Sequence, residues 1–227
     1  MKVMCSNSMH GVMDSLLPEF ERASGSKVEI TYDPAKRMMA RIRGGESGDV
    51  AIIGSGAIDE LANDGLIRAD TRVELARSSV GMAVAAGAAK PDIGTVEAFK
   101  AALLEAQSVA YTIEGASGMH FAELIERLGI ADQVKAKARR QPGGLVGELI
   151  ARGEAEVAIQ QVSELMAVPG IQLVGPIPRE LQKITVVSGG VFRNAVSPDA
   201  GRALLAFLTS PAARAVMQAK GLEPATP

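Results

Sequence analysis

The stretch KVMCSNSMHGVMDSLLPEFERASG, Lys2 to Gly25, decides the fold class. A short apolar run, Val3 to Cys5, reads as a strand. It turns through Ser-Asn-Ser and continues with Met9, Val12, Leu16 and Phe20 at helical spacing, until Gly25 supplies a stop. A strand that turns straight into a helix leaves the first helical amides without intrahelical partners, at the positive end of the helix dipole. Asn7 and Ser8 stand in that turn, which therefore reads as an anion cradle.

The alternation repeats down the chain. KVMC, VEITY, DVAII, VGMAVAA, SVAYT, EVAIQ, IQLVG and ITVVSGGVF read as strands, separated by helical patterns. One of these, SGMHFAELIERLG, places Met119, Ala122, Ile125 and Leu128 on one face and ends at Gly129. Such an α/β chain predicts parallel sheets with ligands beyond the carboxyl ends of the strands. Four turns qualify: CSNSMHG, YDPAKRM (Tyr32–Met38), IEGASGMH (Ile113–His120) and RRQPGGLVGEL (Arg139–Leu149).

Composition removes several function classes. Lys plus Arg number 24 against 26 Asp plus Glu, aromatic residues make up 3%, and there is no Trp. No basic excess or stacking platform is available for nucleic acid. No run of eighteen apolar residues predicts a membrane span. Cys5 is the single cysteine, so clustered thiolate metal sites and intrachain disulfides are excluded. Neither a metal nor a cofactor is expected. The start MKVMCSN has no leader pattern, so the chain as it stands reads as cytoplasmic; a removed leader would make it periplasmic, with an ABC transporter permease as a partner.

The stretches LLPEFERASGSKVEITY, ARIRGGESGDVAIIGSGAIDELANDGLI, GEAEVAIQQVSEL and LLAFLTSPAARAVMQAKGL together resemble the molybdate-binding-protein branch of the periplasmic solute-binding proteins of type 2 fold. The resemblance implies two Rossmann-like α/β lobes joined by a two-strand hinge, with a ligand cleft between them. The hinge strands would be Val80–Gly87 and Ile184–Phe192. Residues 1–82 plus 190–227 would form the first lobe and 83–189 the second.

Carried over residue by residue, the resemblance makes Ser8 the first oxyanion-binding serine. The second such serine falls on Ala35 and the following glycine on Lys36. Ser117 and Gly118 match a helix start that supplies backbone amides, Gly143 and Gly144 a later turn, and Gln161 a position where molybdate binders commonly carry Tyr. Lys36 and Arg37 bring cations to a helix start, which the dipole disfavours unless an anion compensates. A carboxylate fits this better than molybdate, with Arg37 able to grip it in a bidentate manner.

His10 and His120 are the two histidines, and each is placed in the first turn of a helix beside a ligand-binding serine. The first expectation is therefore binding of a small anion, a di- or tricarboxylate. The second arises because the same branch resembles aconitate isomerase, which moves a proton along an allylic tricarboxylate with no cofactor. His10 or His120 would then be the general base.

Overall fold

The computed structural model describes residues 1–225. Strand β1 (Lys2–Ser6) leads through a 3-10 turn (Asn7–Met9) into α1 (His10–Ser24), which Gly25 closes at φ 70°. There follow β2 (Glu29–Asp33), α2 (Ala35–Arg43), β3 (Val50–Gly54), α3 (Ser55–Asn63), β4 (Val73–Ser78), β5 (Val80–Ala85), α4 (Val96–Glu105), β6 (Val109–Thr112) and α5 (Ala116–Arg127). The remaining elements are α6 (Ala131–Ala136), β7 (Ala138–Gln141), α7 (Gly147–Ala151), β8 (Val157–Gln161), α8 (Val162–Met166), β9 (Ile171–Pro176), β10 (Thr185–Val191), α9 (Pro198–Leu208), α10 (Pro211–Ala219) and β11 (Glu223–Pro224).

The chain divides into two compact units. Residues 1–78 and 185 onward form unit 1, and Ser79–Ile184 form unit 2. The expected boundaries, at 82/83 and 189/190, stand four to five residues away from these. Each unit has its own sheet, ordered β11-β4-β10-β3-β1-β2 in unit 1 and β7-β6-β8-β5-β9 in unit 2. Neither proposed hinge strand is shared: β5 pairs only within unit 2 and β10 only within unit 1.

The sheets are mixed, not parallel as alternation suggested. β3, β1 and β2 are parallel neighbours in unit 1, and β7, β6 and β8 in unit 2. β10 and β5 run antiparallel inside them. Each is reached from the other unit and not through a local strand-helix-strand crossover, which is the connection that forces parallel pairing.

Both sheets are covered on both faces, which is why their strands read as continuous apolar runs. In unit 1, Val3 and Cys5 pack with Leu16, Phe20 and Leu204 on one face, while Met4 packs with Met38, Ile42 and Ile58 on the other. In unit 2, Tyr111 packs with Phe99, Phe121 and Leu124, while Ala110 packs with Val146 and Ile150. Helix α5 buries Phe121, Leu124 and Ile125 and leaves Met119 exposed, so its inward face is rolled from the expected Met119–Ala122 line. The roll follows from Gly118: a Cβ there would stand 1.8 Å from the Thr112 carbonyl oxygen, so the helix meets β6 along its glycine side.

Candidate functional site

The parallel strands β2, β1 and β3 of unit 1 release their chain ends at one edge of the sheet. Asn7 and Ser8 follow β1 and are 8% and 4% exposed. The cap of this turn is Ser6, not Ser8: Ser6 Oγ accepts from the Ser8 amide at 3.4 Å and lies 3.0 Å from Ser8 Oγ. The α-helix itself starts only at His10, so the expected direct entry of Ser8 into a helix is corrected by one 3-10 turn. Lys36 and Arg37 are the second and third residues of α2, whose cap position is Pro34 with no side-chain cap, and both are exposed.

A third helix start on this edge escaped the sequence reading. Ser55 begins α3 directly after β3, and its hydroxyl lies 2.6 Å from that of Ser188 on β10. The strand-Gly-Ser pattern IIGSG was the signal for it.

Unit 2 collects the other expected residues on the corresponding edge of β7, β6 and β8. Gly115 caps α5 in an extended conformation, followed by Ala116, Ser117 and Gly118. Gly143 and Gly144 follow β7, Gly144 at φ 83°, where only glycine is unstrained. Gln161 ends β8, 3% exposed, at the cap position of α8. The Thr112 and Ser163 hydroxyl oxygens on this edge are buried with no hydrogen-bond partner. Gly118 also has a packing role, since the Thr112 carbonyl leaves no room for any side chain.

The two histidines are in different circumstances. His10 is the first residue of α1, and its Nδ1 lies 3.2 Å from Asp14 Oδ2 one turn on, while its ring packs against Tyr32 with centroids 4.2 Å apart. Tyr32 donates its hydroxyl to the other oxygen, Asp14 Oδ1, at 3.2 Å. Burial foremost, then the neighbouring Cys5 and Asp14, pushes the Tyr32 phenol upward, so it remains a donor. Nδ1 faces the Asp14 carboxylate, and Nε2 is the ring nitrogen on the side away from it. The His10 side chain is 33% exposed, accessible to a reactant.

His120 is not in a first turn. It is the fifth residue of α5, 7% exposed, and its Nε2 lies 2.7 Å from the Leu181 carbonyl oxygen. A carbonyl can only accept, so Nε2 donates and is occupied.

Behind the unit 2 edge lies a carboxyl that the sequence reading did not single out. Glu164 on α8 is 7% exposed. Burial pushes it up to about 8 against two opposing hydrogen bonds, from the Gln161 backbone and the Gln160 side chain. Among the described residues no group of three or more His, Cys, Asp or Glu is placed to hold a metal ion, and no helix is long and apolar enough to cross a membrane.

Comparison with known proteins places this geometry. The pattern describing bacterial extracellular solute-binding proteins matches residues 1–223. An aconitate isomerase from a Pseudomonas species is 39% identical over 98% of this chain and 87% of its own. The periplasmic molybdate-binding protein of Azotobacter vinelandii has the same fold, with a TM-score of 0.83 at 17% identity over 100% of this chain and 99% of its own. So does the sulfate-binding protein of Mycobacterium tuberculosis, with a TM-score of 0.78 at 17% identity over 100% and 87%.

Proposed function

Because the chain belongs to the bacterial extracellular solute-binding proteins, we propose that it uses that fold to bind a tricarboxylate and to shift its double bond, as a cofactor-independent isomerase of the aconitate type. The observation that carries this is the His10–Asp14 pair, two residues beyond Ser8. A binding protein needs hydroxyls, amides and cations. An imidazole set beside a carboxylate adds a group that can move a proton, which binding alone does not require.

The chemistry follows from these groups. His10 Nε2 takes a proton from the methylene carbon next to the double bond, and the C–H electron pair enters an allylic carbanion flanked by carboxylates. The proton then returns to the opposite end of the allyl unit, so the double bond moves by one position and nothing is oxidised or reduced. The carbanion adds negative charge to a trianion, which calls for preorganised positive potential. Lys36 and Arg37 at the start of α2 are the groups we assign to that task in unit 1, with Ser8 and Asn7 orienting carboxylates; in unit 2 the candidates are the amides at the start of α5 with Ser117, Gly118, Gly143 and Gln161. Cations at the α2 start, where the molybdate-type pattern has Ser and Gly, favour a polycarboxylate over molybdate.

The test is incubation of the protein with trans-aconitate in deuterium oxide. The cis isomer is expected, with at most one deuterium per conversion at the newly protonated carbon. Stabilisation of the fold by the acid without conversion would remove the isomerase reading. It would favour the other reading, supported by the likeness to molybdate- and sulfate-binding proteins, in which the protein delivers a carboxylate to a transporter permease.

A further inference from the structure

Tyr32 belongs to the cluster around His10, and the proposed chemistry gives it no task. It comes to that cluster from the sheet. β2 lies beside β1 with Tyr32 opposite Cys5, and Tyr32 packs against the apolar cluster to which α1 contributes Val12, Met13, Leu16 and Phe20. From there its hydroxyl donates to Asp14 Oδ1 at 3.2 Å, while His10 Nδ1 lies 3.2 Å from Asp14 Oδ2. The two carboxylate oxygens are thus divided between two partners, one on α1 and one on β2. The Tyr32 and His10 rings are in contact as well, with centroids 4.2 Å apart and planes tilted by 44°.

The need for such an anchor comes from exposure. The Asp14 side chain is 56% exposed and that of His10 33%. Two polar side chains one turn apart on a helix surface attract each other only weakly, and each can turn away into water. A second hydrogen bond, from a residue held in the sheet, fixes the carboxylate. Facing Nδ1, a fixed carboxylate favours the neutral tautomer that carries its proton there and leaves the lone pair on Nε2. We propose that Tyr32 is a positioning residue: by donating its hydroxyl to Asp14 it holds the carboxylate against His10 Nδ1, and so keeps the proton-accepting lone pair on Nε2. This rests on the reading that His10 is the base of the isomerisation. Tyr32 takes no proton itself, since burial foremost, then Cys5 and Asp14, pushes its phenol upward and it stays a donor in alkaline solution. Loss of the hydroxyl should therefore slow the reaction of bound substrate and leave binding alone.

Two measurements test this, and the first needs no substrate. Long-range proton–nitrogen NMR at about pH 9, above the ordinary titration range of imidazole, reads the tautomer of each histidine, and His10→Gln identifies the signals, since His120 is the other histidine. In the wild type the His10 proton should favour Nδ1 about tenfold, the worth of one charge-assisted contact. Tyr32→Phe, which keeps the ring and removes the hydroxyl, should mix the two tautomers, and Asp14→Ala should mix them as well. The second measurement is steady-state kinetics with trans-aconitate. Tyr32→Phe should lower kcat about tenfold and keep KM within about twofold. Placed on Asp14→Ala, the same substitution should cost less than about twofold more, because the hydroxyl then has nothing to hold. A wild-type proton on Nε2, a tautomer unmoved by Tyr32→Phe, or an equal loss of kcat on both backgrounds, as a merely structural tyrosine would give, overturns the proposal. A tautomer that depends on Tyr32, together with no conversion of the acid by the wild type, would support the anchor and overturn the isomerase reading alone.

Discussion

The two units present the same architectural edge with different chemistry. Three parallel strands end together in each, but the unit 1 edge carries side chains: the Ser6–Ser8 and Ser55–Ser188 hydroxyl pairs, Lys36, and the His10–Asp14–Tyr32 cluster. The unit 2 edge relies more on backbone: Gly115, Gly118 and Gly144 stand there beside the buried Thr112 and Ser163 hydroxyls, and Gln160 holds the Gly144 carbonyl from behind. The contrast teaches that one fold edge can be specialised for reactivity or for shape. Changes in unit 1 should cost chemistry with the fold intact, and changes in unit 2 should cost the fold first.

The largest effect is expected in unit 2. Gly118→Ala puts a Cβ 1.8 Å from the Thr112 carbonyl oxygen, and backbone cannot yield as a flexible side chain would. The loss should reach or exceed the ~3 kcal/mol upper range of overpacked cores, read as a lowered denaturation midpoint. Little change there would mean that the α5 start is pliable and the contrast false.

Next comes the dyad. His10→Gln should lower turnover of trans-aconitate by about a hundredfold or more, with binding of the acid and thermal stability nearly unchanged. His120→Gln should leave turnover within a few-fold of the wild type, since that ring is 7% exposed and tied through Nε2 to Leu181. The reverse ranking would move the reactive edge to unit 2.

A pH series of denaturation curves sharpens the comparison further. Glu164 stands above its ordinary 4.5, at about 8, so the folded state holds its proton more tightly than the unfolded chain does. Its contribution is fully present below pH 4.5 and is lost as pH rises through about 8. Between those limits the wild type should lose on the order of 2–4 kcal/mol relative to Glu164→Gln. The smallest effect is at the rim of unit 1: Lys36→Ala should weaken binding of the acid about tenfold, the worth of one charge-assisted contact, with no change in the melting temperature.

How much of this was legible in sequence varied with the kind of signal. Strands buried on both faces announced themselves as apolar runs, as did the α1 face and the Gly25 stop. β4 and β7 did not, because VELARS exposes Glu74 and Arg77 and ARRQ is a charged edge strand. The antiparallel runs of β5 and β10 were hidden because strand direction is set by where the chain comes from, which no local pattern records. That Ser8 and Lys36 stand at helix starts could be read from position. The separation of His10 from His120 could not, since it depends on Asp14 one helical turn away and on Leu181 sixty-one residues away. Glu164 sat in a helical stretch, VSELM, that reads as an amphipathic surface until the structure buries it.

The placement of β10 between β3 and β4 has a consequence for how the molecule comes into being. On a ribosome, everything unit 2 requires has been made once Ile184 has emerged, whereas sheet 1 at that moment is split, β4 having no neighbour to join it to β3. The inserted unit can thus mature while its host waits, and α1 keeps an uncovered apolar flank until α9 and α10 arrive. A nascent chain halted just after Ile184 has emerged should yield a protease-resistant fragment beginning near Ser79, with the first seventy-eight residues digested.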